Sequence, residues 1–146
     1  MKKVVLSTFV ILLMLSSCKK DCHPIKSNFD YLIAHPWIYN KYYIGYVDSS
    51  NLGTLNYLRG SSGNIINLDN QKSTYYANGT VDEIDQYGSH VYGTWKFGNN
   101  EQTLIIVQNS YGTFNTVVVQ LDDKNYKWYY PAIDKTVRYG EFIPSN

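Results

Sequence analysis

Two kinds of periodicity divide this chain. Residues 4–15 form an almost continuous apolar run, set between Lys2-Lys3 and the small residues Ser16-Ser17. The run is shorter than the ~20 residues that span a bilayer, so its basic, apolar and small parts together read as a secretory signal that is removed. Residues 21–27 are polar, contain Pro24, and read as a tether. Ser27 or Asn28 then offers an N-cap for a short helix over residues 29–34, which Pro36 stops. Past Pro36 the period changes from helical to alternating.

Residues 37–47, WIYNKYYIGYV, make a long aromatic and β-branched run ended by the turn-favouring Asp48-Ser49-Ser50-Asn51. Residues 54–59 form a second, weaker strand. Residues 60–70, GSSGNIINLDN, are the least regular stretch and the candidate lid or mouth loop. Beyond them short β-rich runs recur about every ten residues. Residues 72–77 and 80–86 flank Asn78-Gly79, a strong hairpin signal. Residues 90–97 and 102–108 flank Gly98-Asn99-Asn100, and residues 113–121, 126–130 and 137–143 follow turns of their own.

Eight strands, or nine with the weak one, joined mostly by tight turns, make an antiparallel meander. Closing it into a barrel removes both unpaired edges. The fold class is therefore all-β, an up-and-down meander barrel of eight to nine strands with a short N-terminal helix, the alternative being a β-sandwich. The chain divides into a signal at 1–17, a tether at 18–27 and a barrel domain at 28–146.

Composition adds a partner class and removes another. The 13 basic residues fall to 11 once Lys2 and Lys3 leave, against 12 acidic ones, for a net charge of −1. That supplies no footprint for nucleic acid, which needs a basic patch or stripe. Tyr outnumbers the other aromatics, 15 against 5 Phe and 3 Trp, and its ring fills apolar space while its hydroxyl seeks a partner or water. With Trp37 facing inward, alternation sends Tyr39, Lys41 and Tyr43 inward too; with Trp128 inward, Tyr126 and Tyr130 follow. Tyr39, Tyr43, Tyr126 and Tyr130 are thus the candidate ligand-binding residues of a semi-polar interior, suited to an amphipathic small molecule. The alternative is that these rings simply fill a small barrel.

Leu15-Ser16-Ser17-Cys18 resembles a bacterial lipobox. The resemblance implies a mature chain that begins at Cys18, carries diacylglycerol on its sulfur and a fatty acyl chain such as palmitate on its amine, and is anchored to a membrane by several acyl chains. Lys19 follows the cysteine where Asp is associated with inner-membrane retention, so the resemblance implies the outer membrane, with Lys19-Lys20-Asp21 leaning towards the cell surface. Cys22 is then left as a free thiol in the tether or a partner for an intermolecular disulfide.

His35-Pro36-Trp37 at the first strand, Tyr76-Ala77-Asn78-Gly79-Thr80 at a hairpin and Gly93-Thr94-Trp95 in a middle strand resemble small lipocalin-like lipoproteins of Bacteroidota. In lipocalins an Arg near the last strand packs across the first-strand Trp. The resemblance therefore implies that Trp37 and Arg138 form a staple closing the barrel between its first and last strands.

Candidate chemistry is sparse. His23, His35 and His90 fall at a tether, a helix end and a strand start, without the close grouping of metal ligands. Asp82 and Glu83 alternate across a strand with Ile84 and Asp85, which splits the carboxylates between faces and reads as a solvated hairpin. There is no Gly-X-Ser-X-Gly elbow and no phosphate loop. The expectation is a protein that is not an enzyme and uses no cofactor. It binds a small amphipathic ligand in the barrel, or a surface glycan on exposed tyrosines, or a protein partner as a structural lipoprotein.

Overall fold

The computed structural model describes residues 25–131 and 136–145; the signal, Cys18, Cys22 and His23 lie outside them. Helix α1 (Asn28–Ala34) starts where its cap is reciprocal. The Asp30 amide donates to Ser27 Oγ at 3.2 Å and the Ser27 amide to Asp30 Oδ2 at 2.9 Å, which satisfies two orphan donors of the first turn. The helix ends as His35, ahead of Pro36, takes up extended backbone.

Among the described residues nine antiparallel strands follow: β1 (Trp37–Ile44), β2 (Thr54–Leu58), β3 (Lys72–Tyr75), β4 (Thr80–Ile84), β5 (His90–Gly98), β6 (Thr103–Gln108), β7 (Gly112–Leu121), β8 (Tyr126–Pro131) and β9 (Val137–Pro144). From β3 to β9 each pairs with the next, and β9 pairs back onto β1 from Trp37 opposite Pro144 to Ile44 opposite Arg138. That last ladder closes an eight-stranded barrel, which two separate sheets of a sandwich would lack. The ninth strand is the weak β2. β3 leaves the β1 edge after Ile38, and β2 takes over that edge from Lys41 to Ile44.

Hairpins set the register. At the 76–79 turn the Gly79 amide donates to the Tyr76 carbonyl and the Tyr76 amide to the Thr80 carbonyl, both at 2.9 Å, with Gly79 at φ +82°. This is a three-residue loop that ends in a left-handed glycine, a conformation an L side chain rarely takes.

α1 lies at the end of the barrel that holds the 99–102 and 122–125 turns. The Asn28 amide donates to Glu101 Oε2 at 2.8 Å, Lys26 Nζ meets Asp123 Oδ1 at 2.8 Å, and Phe29 packs on Trp95 with ring centroids 5.5 Å apart. Trp37, fully buried, donates its indole N–H to the Leu32 carbonyl at 2.9 Å and so ties helix to strand. Around that contact Leu32, Val81, Trp95 and Leu104 form a packed core that fills the helix end of the barrel. The other end is hollow.

Candidate functional site

The hollow end holds a cavity of about 460 Å³, within the ~300–1,000 Å³ of small-molecule sites. Its floor and one wall are aromatic. Tyr39 lies against Phe142 with centroids 4.0 Å apart, Phe142 stacks on Tyr126 at 5.2 Å, and Trp128 neighbours Tyr130 at 5.3 Å. The mouth loop of residues 60–70 leans over the opening with Ile66 and Leu68, held there by the Tyr57 hydroxyl donating to Asp69 Oδ1 at 2.7 Å. Tyr87 and Tyr111, both well exposed, rim the cavity on the far side.

Of the four tyrosines expected to line the interior, the structure brings Tyr39, Tyr126 and Tyr130 together in the cavity and places Tyr43 elsewhere. The cause is a β-bulge. Between Tyr39 and Lys41 the β1–β9 register slips by one residue, leaving Asn40 unpaired in that ladder. Arg59 fills the bulge: its amide donates to the Asn40 carbonyl at 2.9 Å and its Nε to the Tyr39 carbonyl at 2.5 Å. One slipped residue exchanges the faces of everything after it. Tyr42 therefore turns into the cavity. Lys41 meets Glu141 at 3.5 Å instead, and Tyr43 packs on Tyr139 with centroids 5.8 Å apart.

The expected staple between Trp37 and Arg138 does not form. β1 and β9 are antiparallel, so Trp37 lies opposite Pro144 while Arg138 lies opposite Ile44 at the other end of the ladder. Six residues of strand separate them along β9, about 20 Å. The contact of Trp37 is the α1 carbonyl, and Arg138 lines the cavity, donating from Nη1 to the Tyr130 hydroxyl at 3.3 Å with its guanidinium 5.9 Å from that ring's centroid. The barrel closes through its backbone ladder.

Sequence reasoning missed Glu83. It assigned the carboxylates of residues 82–85 to a solvated hairpin, yet Glu83 faces the cavity, where Ser73 Oγ donates to it at 3.2 Å and Gln108 Nε2 also donates. Burial pushes its carboxyl up to about 7, Ser73 pulls it down, Asp82 raises it, and Gln108 lowers it. The signal in the sequence was divided, because β4 carries two apolar residues on opposite faces, Val81 and Ile84; the core buries Val81, and a period of two carries Glu83 and Asp85 inward with it. Asp82 faces the other way and meets His90 Nδ1 at 2.9 Å.

Three phenols of the cavity, Tyr39, Tyr75 and Tyr126, are neutral. Burial holds the Tyr39, Tyr75 and Tyr126 hydroxyls well above the usual phenol value, so they act as hydrogen-bond donors and acceptors. Outside the barrel Tyr46 stacks on Tyr139 at 4.9 Å and on Tyr129 at 5.1 Å. In that cluster each ring lies against another, while Tyr87, Tyr92 and Tyr111 stand well exposed. Among the described residues no three His, Cys, Asp or Glu side chains gather as metal ligands, and no helix is long and apolar enough to cross a membrane.

An eight-stranded meander barrel with a helix at its closed end and a cavity at its open end defines a lipocalin-like fold. The solved structures include a lipocalin-like protein from Bacteroides uniformis ATCC 8492 of the same fold, with a TM-score of 0.53 and 14% identity, the match covering 77% of this chain and 98% of that one. No family model matches this chain, and no curated protein matches it.

Proposed function

We propose that this protein is a lipid-anchored binding protein of the outer membrane, tethered through Cys18, whose barrel holds a small amphipathic ligand. The observation that carries the binding half is the cavity of about 460 Å³, one side aromatic and the other polar. A barrel built only for stability would fill with side chains, as its helix end does, because unfilled space forfeits contacts. The anchor half rests on the lipobox-like Leu15-Ser16-Ser17-Cys18 and the short apolar run before it.

Native mass spectrometry of the protein purified from its own organism's envelope tests the binding half. A co-purifying small molecule that departs when Trp128→Ala and Tyr39→Ala are combined is the expected result. A clean apo mass, together with tryptophan fluorescence unresponsive to amphipathic probes, overturns it. For the anchor, Cys18→Ala is expected to move the protein from the detergent phase to the aqueous phase on phase separation, and an unchanged partition refutes it.

A further inference from the structure

Glu83 is an unusual residue for a cavity meant only for apolar guests. Its side-chain partners, Ser73 on β3 and Gln108 on β6, are both neutral. Among the described residues no ion pair involves it; the pairs present are Lys26 with Asp123, Lys41 with Glu141 and His90 with Asp82. A half-buried carboxylate held by neutral donors retains most of its attraction for a cation, since only a counter-charge cancels it. Ring faces share that preference, because the negative face of an aromatic ring attracts positive charge. Tyr39 from β1, Tyr75 from β3 and Tyr126 from β8 all stand close enough to Glu83 for its charge to act on their hydroxyls.

We propose that the cavity selects ligands bearing a protonated amine, seated against Glu83, with an apolar or aromatic body lying among Tyr39, Tyr126, Trp128 and Phe142. This rests on the reading of the cavity as a ligand site and names what that ligand carries. The competing charge is Arg138 on β9, three strands from β4 around the barrel by way of β3 and β1 and engaged with Tyr130. A ligand governed by Arg138 would carry an acid instead.

Selectivity for the amine depends on pH in one direction. An alkylamine, with a pKa near ~10.4, stays protonated between pH 5.5 and 8, so its own charge does not change. Glu83 titrates across that range, and deprotonation completes the pair. The groups that face Glu83 are Ser73, Tyr75, Tyr39, Tyr126 and Gln108; Asp85 and Arg138 share the cavity, and Asp82, its neighbour on β4, points outward to His90.

Three soluble probes of one shape separate the possibilities: 4-phenylbutylamine, 4-phenylbutanol and 4-phenylbutyrate, titrated calorimetrically into the full chain in phosphatidylcholine nanodiscs, with empty nanodiscs as blank. At pH 8 the amine is expected to bind about tenfold tighter than the alcohol, the size of one charge-assisted hydrogen bond. Glu83→Gln should abolish that preference, bringing the amine's affinity to that of the alcohol. Lowering the pH to 5.5 should shrink the preference in the unmutated protein, a readout that needs no variant to fold. Equal affinities for amine and alcohol, or a preference for the butyrate, overturn the amine proposal while keeping the cavity as a site. Binding of none of the three removes both.

Discussion

Replacing Glu83 by Gln should stabilise the protein at high pH and hardly change it at low pH. The folded carboxyl titrates near 7 against an ordinary 4.5, chiefly because burial disfavours its charge. Between those values the folded chain holds a proton that the unfolded chain has released. Stability from this group is therefore fully present below 4.5 and is lost as pH rises through 7. A displacement of that size corresponds to about 3 kcal/mol at 1.36 kcal/mol per unit. Glu83 lines an open cavity rather than a dry core, so solvent reaching it trims the effect to about 2 kcal/mol. For a domain of this length that is roughly 8 °C in Tm. The assay is thermal and urea unfolding followed by tryptophan fluorescence at pH 5 and pH 8, on the unmutated chain and Glu83→Gln. Asp30 and Asp48, held below the usual carboxylate range by hydrogen bonds from Ser27 and Ser50 respectively, lose stability only as pH falls through still lower values. Groups common to both proteins cancel in the difference. If the unmutated chain loses no more stability than Glu83→Gln between pH 5 and pH 8, the carboxyl is not desolvated and the argument fails.

Two further substitutions test the architecture. A Cβ at Gly140 would stand 2.9 Å from the Trp128 ring and 3.2 Å from Phe142, so Gly140→Ala should cost about 1–3 kcal/mol by overpacking and shift tryptophan emission; an unchanged urea midpoint would mean the floor of the cavity is looser than described. Trp37→Phe leaves the Leu32 carbonyl without its indole donor and opens space in the packed end, a loss of about 2–4 kcal/mol, whereas Arg138→Ala should cost far less. Because the two residues do not touch, their effects in the double variant should add within ~0.5 kcal/mol, and a larger coupling would restore the staple.

The strand pattern was legible because turn chemistry and alternation are local. The runs around Asn78-Gly79 and Gly98-Asn99-Asn100 became β3 to β6 within a residue or two of their expected limits, and the weak run at 54–59 became the one strand outside the barrel. Facing was legible only where alternation ran unbroken. In β8 it put Tyr126, Trp128 and Tyr130 together as expected. In β1 it failed at Asn40, because a bulge is bought by a residue far along the chain, Arg59, whose donors take the carbonyls the slip leaves over. Register across a closed barrel is likewise non-local. Nothing near Arg138 fixes its exact partner; what puts it opposite Ile44 is the antiparallel direction of the closing ladder, which sets two strand-start residues, Trp37 and Arg138, at opposite ends.

The two readings of the tyrosine-rich interior, filled or hollow, each hold for one half of the barrel, and the division follows from where α1 sits. At the helix end Leu32 and Phe29 supply apolar surface from outside the sheet, so Trp37, Val81, Trp95 and Leu104 find close neighbours and exclude water. Among the described residues no helix reaches the open end, and the inward positions there carry Ser73, Glu83, Gln108 and Arg138 among the rings. Polar side chains at inward positions weaken a core unless each is hydrogen-bonded. Here Ser73 and Gln108 converge on one carboxyl, while Arg138 reaches Tyr130. That distribution is expected of a site rather than of a core, because it gives up burial where a guest can restore it. The bulge serves the same end. By turning Lys41 out to Glu141 and Tyr42 in, it takes a cation off the cavity wall and adds a fifth tyrosine to Tyr39, Tyr75, Tyr126 and Tyr130 on the wall.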